Sequence, residues 1–209
     1  MKLTCRTNPS RGISQGRGTR RSRRFLLWIA SVSAAWALIG IPSVQGQHAK
    51  PTEYEVKATY LYNFSRFVEW PAQGVQVEGD TFAICVLGDN PFGPALNATV
   101  AQETIAGKSV VAKQISAPQD AVNCRVLFIS SSEAKRLKEI LTNLGAASVL
   151  TVSDLPRFTQ RGGMVQFVLE GDRVRFEVNS AIAARAGLTM SSELLKVAVN
   201  VRRSVQLGD

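Results

Sequence analysis

The sequence predicts an α/β domain: a single compact layered sandwich with a mixed, mostly parallel central sheet of about six strands flanked by helices, ending in a β-hairpin and C-terminal helices. Three observations carry this. Short apolar runs rich in strand formers recur at 81–88, 109–115, 125–130 and 148–154, separated by segments of helical spacing. The period then switches to two over 163–179, and capped helical segments close the chain. A hydrophobic content of 45% with 20% charged residues is globular composition. It leaves no room for a collagen-like, coiled-coil or disordered chain.

The first helix is expected over Thr52 to Trp70, with Val56, Tyr60, Leu61, Phe64, Phe67 and Val68 at three-and-four spacing. Thr52 and Glu55 form a capping-box pattern and Pro71 closes the far end. TFAICVLG (81–88) reads as a strand covered on both faces, ended by Gly88-Asp89-Asn90-Pro91. A helix from Pro94 to about Gln102 leads to the strand SVVAKQI, and RVLFIS follows. Ser130 and Glu133 suggest a second capping box, Ala134, Leu137, Leu141 and Leu144 one helix face, and Gly145 its end. After SVLTVSD, alternating Val165, Phe167, Leu169 and Val174, Phe176, Val178 meet at Gly171-Asp172, a two-residue hairpin signal. Asn179 is a plausible N-cap for a short helix ended by Gly187, and a last helix is expected from about Ser191 to Val201.

The net charge of +9 belongs to one end of the chain. Lys2, Arg6, Arg11, Arg17, Arg20, Arg21, Arg23 and Arg24 carry eight of the 25 basic charges, and the remaining 17 face 16 acidic residues. That near-neutral remainder argues against nucleic acid as a partner. Behind Arg24 stand seventeen uncharged, mostly apolar residues (25–41), then Pro42 and small residues near Val44-Gln45-Gly46. This is the plan of a secretory signal over residues 1–46, cleaved around Gly46/Gln47, leaving a single exported domain over 47–209. An uncleaved anchor is the competing reading, because 17 residues is near the lower limit of a bilayer span. SRRFLL lacks the spacer usual in a twin-arginine signal, so general secretion fits better.

Cys5 leaves with the signal, so Cys85 and Cys124 remain as an even pair in an oxidising compartment, and a bridge between them is expected. Two buried reduced thiols in adjacent strands are the alternative. The inventory for catalysis is thin. His48 is the only histidine and sits beside the expected mature N-terminus, which rules out histidine triads and multi-histidine metal sites. AGKS (106–109) has Gln102 where a P-loop needs glycine, and it leads into a strand; a turn explains it. Ser132-Glu-Ala-Lys135 matches S-x-x-K without the partner motifs, as helix surface does by chance. Asp89, Ser131 and Asp154 fall at strand ends, where open α/β sheets bind ligands, although turn and cap chemistry also explains them. Tyr54, Tyr60, Tyr62, Phe64, Phe67 and Trp70 give the first helix a heavy aromatic load; most belong in the core, and any left wet, Phe67 and Trp70 being the candidates, would make a protein contact.

YEVKATYLYNFSRFVEWP, FAICVLGDNPFG, CRVLFISSSE, the GGM…F…RVRFEVN block and AGLTMSSELLKVA together resemble, in order and spacing, the YfiR-type family of exported bacterial proteins. The resemblance spans essentially the whole mature chain. It implies a periplasmic regulator that is not an enzyme and needs no cofactor. Such proteins restrain a membrane-bound diguanylate cyclase of cyclic-di-GMP signalling through its periplasmic domain, while some relatives accompany sensor kinases. They are compact α/β sandwiches that can form homodimers. Cys85 and Cys124 match the two positions of a structural disulfide in that family, whereas a later cysteine pair of its best-known member is absent. Basic residues used for small ligands near the C-terminus are also missing, with Leu188 and Met190 in that stretch, so no ligand residues carry over. The runner-up reading is a periplasmic small-molecule-binding module reporting to a separate membrane sensor.

Overall fold

A computed structural model describes residues 50–71 and 81–203. The expected signal and cleavage position, and His48, lie outside the described residues.

Helix α1 (Glu53–Phe67) begins as expected: Thr52 accepts from the Glu55 N–H, and the Glu55 carboxylate accepts from the Thr52 N–H at 2.6 Å. It ends before Trp70, because Val68 and Glu69 leave the helix as strand β1 (Val68–Glu69). The next described strand is β2 (Thr81–Leu87), followed by α2 (Ala95–Val100). Strands β3 (Thr104–Ile105) and β4 (Lys108–Ile115) form a hairpin whose loop, Ala106 and Gly107, has both φ values positive, as a type I′ turn demands. AGKS is therefore a turn into a strand. A 3-10 turn (Pro118–Asn123) leads into β5 (Val126–Ile129).

The helix expected from Ser130 is broken. Ser130 caps a 3-10 turn (Ser131–Glu133), and α3 (Leu137–Leu144) starts only later, ending at Gly145 with φ +52. Then come β6 (Leu150–Ser153), a 3-10 turn (Phe158–Gln160), and the hairpin β7 (Val165–Glu170) and β8 (Arg173–Asn179). Gly171 turns that hairpin at φ +58. Asn179 caps α4 (Ser180–Arg185) by accepting from the Ile182 N–H at 3.1 Å. After β9 (Thr189–Met190), Ser191 caps α5 (Ser192–Val197), which stops early so that Asn200–Arg202 can join the sheet as β10.

The sheet has eight strands, in the order β10-β8-β7-β6-β5-β2-β4-β3. Its centre is parallel from β7 through β4, while the hairpins β7/β8 and β3/β4 are antiparallel. The expectation of about six strands is exceeded by the short edge strands β3 and β10. A separate two-stranded ribbon pairs Val68 with Met190 and Glu69 with Thr189.

Both faces are covered, which is why β2 is a continuous apolar run. Phe82, Ile84 and Val86 meet α1 and α2 on one face; Ala83, Cys85 and Leu87 meet α3 on the other. Four rings lock α1 onto the hairpin: Phe64 lies 5.0 Å from Phe176 and 5.8 Å from Phe167, and Tyr60 is 5.5 Å from Phe176. Burying one such ring contributes about 1.5–3 kcal/mol. On the second face Cys85 and Cys124 are joined as a disulfide, tying β2 to the turn before β5 across 39 residues.

Candidate functional site

The chain direction reverses across the sheet at β2: the connection from β2 runs outward to β4, and the next returns to β5 on the other side. Such a switch point opens a crevice at the carboxyl ends of the strands. Asp89 follows β2, Ser131 follows β5 and Asp154 follows β6, so the three sequence-predicted residues stand along one edge of the sheet.

The protein's own chain fills this crevice. The Asp89 N–H donates to the Ser132 hydroxyl at 3.0 Å, and the Gln114 amide donates to the Gly88 carbonyl at 3.0 Å. Gly88 is at φ +89, and a Cβ there would sit 2.4 Å from Ser132 Oγ. This close approach holds Ser132 and Glu133 in the 3-10 turn, which is why α3 starts late. Asp89 and Ser131 are left exposed on the rim.

Asp154 is engaged differently. Its carboxylate accepts from Lys57 Nζ at 2.7 Å and from the Tyr54 hydroxyl at 3.0 Å. Lys57 also pairs with Glu53 at 2.5 Å, and its ammonium lies 4.4 Å from the Tyr54 ring centroid. The Lys57 side chain is 3% exposed. Burial pulls the Lys57 pKa down, but the hydrogen bonds to Asp154 and Glu53 outweigh it and leave it raised. Tyr54 is raised by burial and by the negative charge of Asp154, so it stays a neutral donor. The cluster is a closed ion-pair network pinning the start of α1 to the end of β6. Tyr54 continues the clamp edge-on to Phe92, 5.5 Å away, and Phe92 rests on Phe128.

Reading the helix pattern as apolar spacing missed Lys57. The buried stripe runs Lys57, Ala58, Leu61, Phe64, Ser65, with Val56 and Tyr60 only half-buried. Glu53 at i−4 was the available signal that this lysine has a companion. The rotation leaves Phe67 outward, 41% exposed. Trp70 is half-buried, edge-on to Phe82 at 5.3 Å, with no hydrogen-bond partner for its indole N–H among the described residues. The Phe67 carbonyl accepts from the Ser191 N–H, so the end of α1 is joined to the ribbon through the main chain. Among the described residues no group of three or more Cys, Asp or Glu residues is placed to hold a metal ion.

A solved structure, a conserved domain protein from Vibrio cholerae O1 biovar El Tor, is similar at a TM-score of 0.51 and 12% identity, covering 72% of this chain. This chain spans 60% of the length of that protein, and the likeness concerns the fold. An ABC domain in complex with L-Trp from Streptococcus pneumoniae, at 12% identity, TM-score 0.43 and coverage of 57% and 55%, is too slight a likeness to inform the argument. The profile of the YfiR/HmsC-like family matches residues 54–199, from Tyr54 in the clamp to the residue before β10, and the chain belongs to that family.

Proposed function

We propose that this protein is a non-catalytic periplasmic regulator that binds a membrane-bound diguanylate cyclase through its periplasmic domain and holds it off. It is delivered there by a cleaved signal over residues 1–46. Family membership supports a regulator that meets a membrane signalling partner. The single structural observation that favours a contact role is Phe67: a large ring left 41% exposed on a helix whose buried stripe admits a lysine instead. Exposed aromatics next to half-buried ones are what interface anchors require. Trp70 and the β1/β9 ribbon supply the surround.

Chemistry on the rim speaks for the same reading. Lys57 is ion-paired with both Asp154 and Glu53, and Tyr54 donates to Asp154, an arrangement that a structural clamp explains. Regulation needs only differential binding: a hundredfold preference for the off conformation corresponds to about 2.7 kcal/mol. A few buried aromatic contacts reach that. The test is photocrosslinking in intact cells from a benzoylphenylalanine at position 67, with a second probe at exposed Lys135 on the opposite side of the sheet. The cyclase should be captured from position 67 and not from 135. Equal capture from both, or none from 67, would remove this surface from the account.

A further inference from the structure

The sheet's β8 edge is only partly covered. Asn200, Val201 and Arg202 lie beside Glu177, Val178 and Asn179, whereas Arg173 to Arg175 have β7 on one side and, among the described residues, no strand on the other. Two backbone hydrogen bonds fix which groups face out. The Asn179 N–H donates to Met164 on the β7 side, and the Phe176 carbonyl accepts from Val199 on the β10 side. Backbone groups alternate sides residue by residue, so Val174, two before Phe176, aims its N–H and C=O at the open edge.

That edge is one wall of a concavity of about 670 Å³; Pro51, Val56 and Tyr60 of the α1 region form the other. Leu169, 55% exposed, stands at its end. Strand geometry sorts what a segment laid there would meet. Val174 and Phe176 point to the α1 face, and Arg173 and Arg175 to the opposite one. Nearby Lys50 is held by Asp172 at 3.2 Å and Lys57 by Glu53, but no ion pair engages Arg173 or Arg175 among the described residues.

We propose that the β8 edge at Val174 receives an extended strand of the regulated partner, with apolar side chains turned into the α1 groove alternating with acidic ones turned to Arg173 and Arg175. This rests on the regulator reading and names how the partner is gripped: main-chain hydrogen bonds give the hold, and the alternating side chains give the choice. A second copy of this chain fits poorly. Antiparallel pairing of two β8 edges about Val174 sets each Arg173 opposite the other copy's Arg175, and like charges directly opposite are destabilising.

The probes are blocked seven-residue peptides alternating Val with Glu, the same with Lys for Glu, and the Glu peptide N-methylated at alternate residues, titrated into the ¹⁵N-labelled mature protein. Expected are a downfield shift and exchange protection of the Val174 amide, with the Glu peptide at least tenfold tighter than the Lys peptide. N-methylation should cost at least tenfold, and Arg173→Glu with Arg175→Glu, both at unburied positions, should reverse the charge preference. Binding of neither peptide at millimolar concentration, equal binding of both, or perturbation that spares Val174 overturns the proposal. Such a failure leaves the crosslinking test at position 67 standing, because that test does not involve the β8 edge.

Discussion

Replacing Asp154 by Ala leaves a cation stranded inside the protein. The Lys57 side chain is 3% exposed and Asp154 17%, while Glu53, at 39%, is the wetter partner. Removing one member of a buried pair costs about 3–5 kcal/mol. Glu53 keeps a hold on Lys57 at 2.5 Å, so a loss of about 2–3 kcal/mol is expected for Asp154→Ala. For a domain of this size that is a fall in Tm of roughly 5–10 °C. Lys57→Met should cost only about 1 kcal/mol, since its stem still packs beside Tyr54 and Asp154 keeps water and the Tyr54 hydroxyl. The double variant should be more stable than Asp154→Ala alone, because the charge it leaves unpaired, Glu53, is the wetter one and no buried charge is orphaned, with a coupling of about 1–2 kcal/mol. Urea unfolding of the mature protein at neutral pH, followed by fluorescence of Trp70, its single tryptophan, measures all three. Equal losses for the two single variants, or a double variant as unstable as Asp154→Ala, would refute the claim that Lys57 is a paired charge pinning α1.

Alkaline stability follows from the same cluster. Lys57 has its folded pKa above its ordinary 10.5, so its contribution is whole below about that pH and is lost as pH rises through the raised value. Tyr54 is raised as well and adds to the same alkaline loss, so Lys57→Met should flatten the fall in urea midpoint above about pH 10.5 only in part. Replacing Cys85 and Cys124 by Ala opens a loop spanning 39 residues and should cost about 4 kcal/mol, seen as a Tm lower by roughly 8–16 °C. If binding the cyclase is how the protein acts, that variant should also release the cyclase at temperatures where the native protein holds it. Gly88→Ala forces a Cβ onto Ser132 at a positive φ, and Gly163→Ala would put one 2.1 Å from the Phe158 ring; each should lose about 1–3 kcal/mol in the same unfolding assay.

Much of the fold was legible because local signals and burial agree. The Thr52/Glu55 box, the Gly171-Asp172 hairpin, the Asn179 cap and the apolar β2 run each form as their residues dictate. The pairing of Cys85 with Cys124 likewise follows from there being two cysteines after residue 46. What escaped has physical reasons. Strands of two or three residues, such as β1, β3, β9 and β10, are too short to show a period of two, and tertiary pairing alone creates them. The late start of α3 comes from the Gly88 contact with Ser132, forty-odd residues away in sequence and invisible to local pattern. Within α1, hydrophobicity placed Phe67 on the inner face and Lys57 outside it. The ion pair with Asp154, 97 residues away, inverts that order. Asp89, Ser131 and Asp154 do share one sheet edge, but the sequence holds no hint that Ser132, Tyr54 and Lys57 occupy it.

The most direct test of restraint by this protein is the cyclic-di-GMP content of cells that lack it, compared with cells carrying the native chain or Phe67→Glu at equal periplasmic abundance. The account predicts a rise on deletion, return to the original level with the native chain, and no return with Phe67→Glu. Identical levels in all three strains would contradict it.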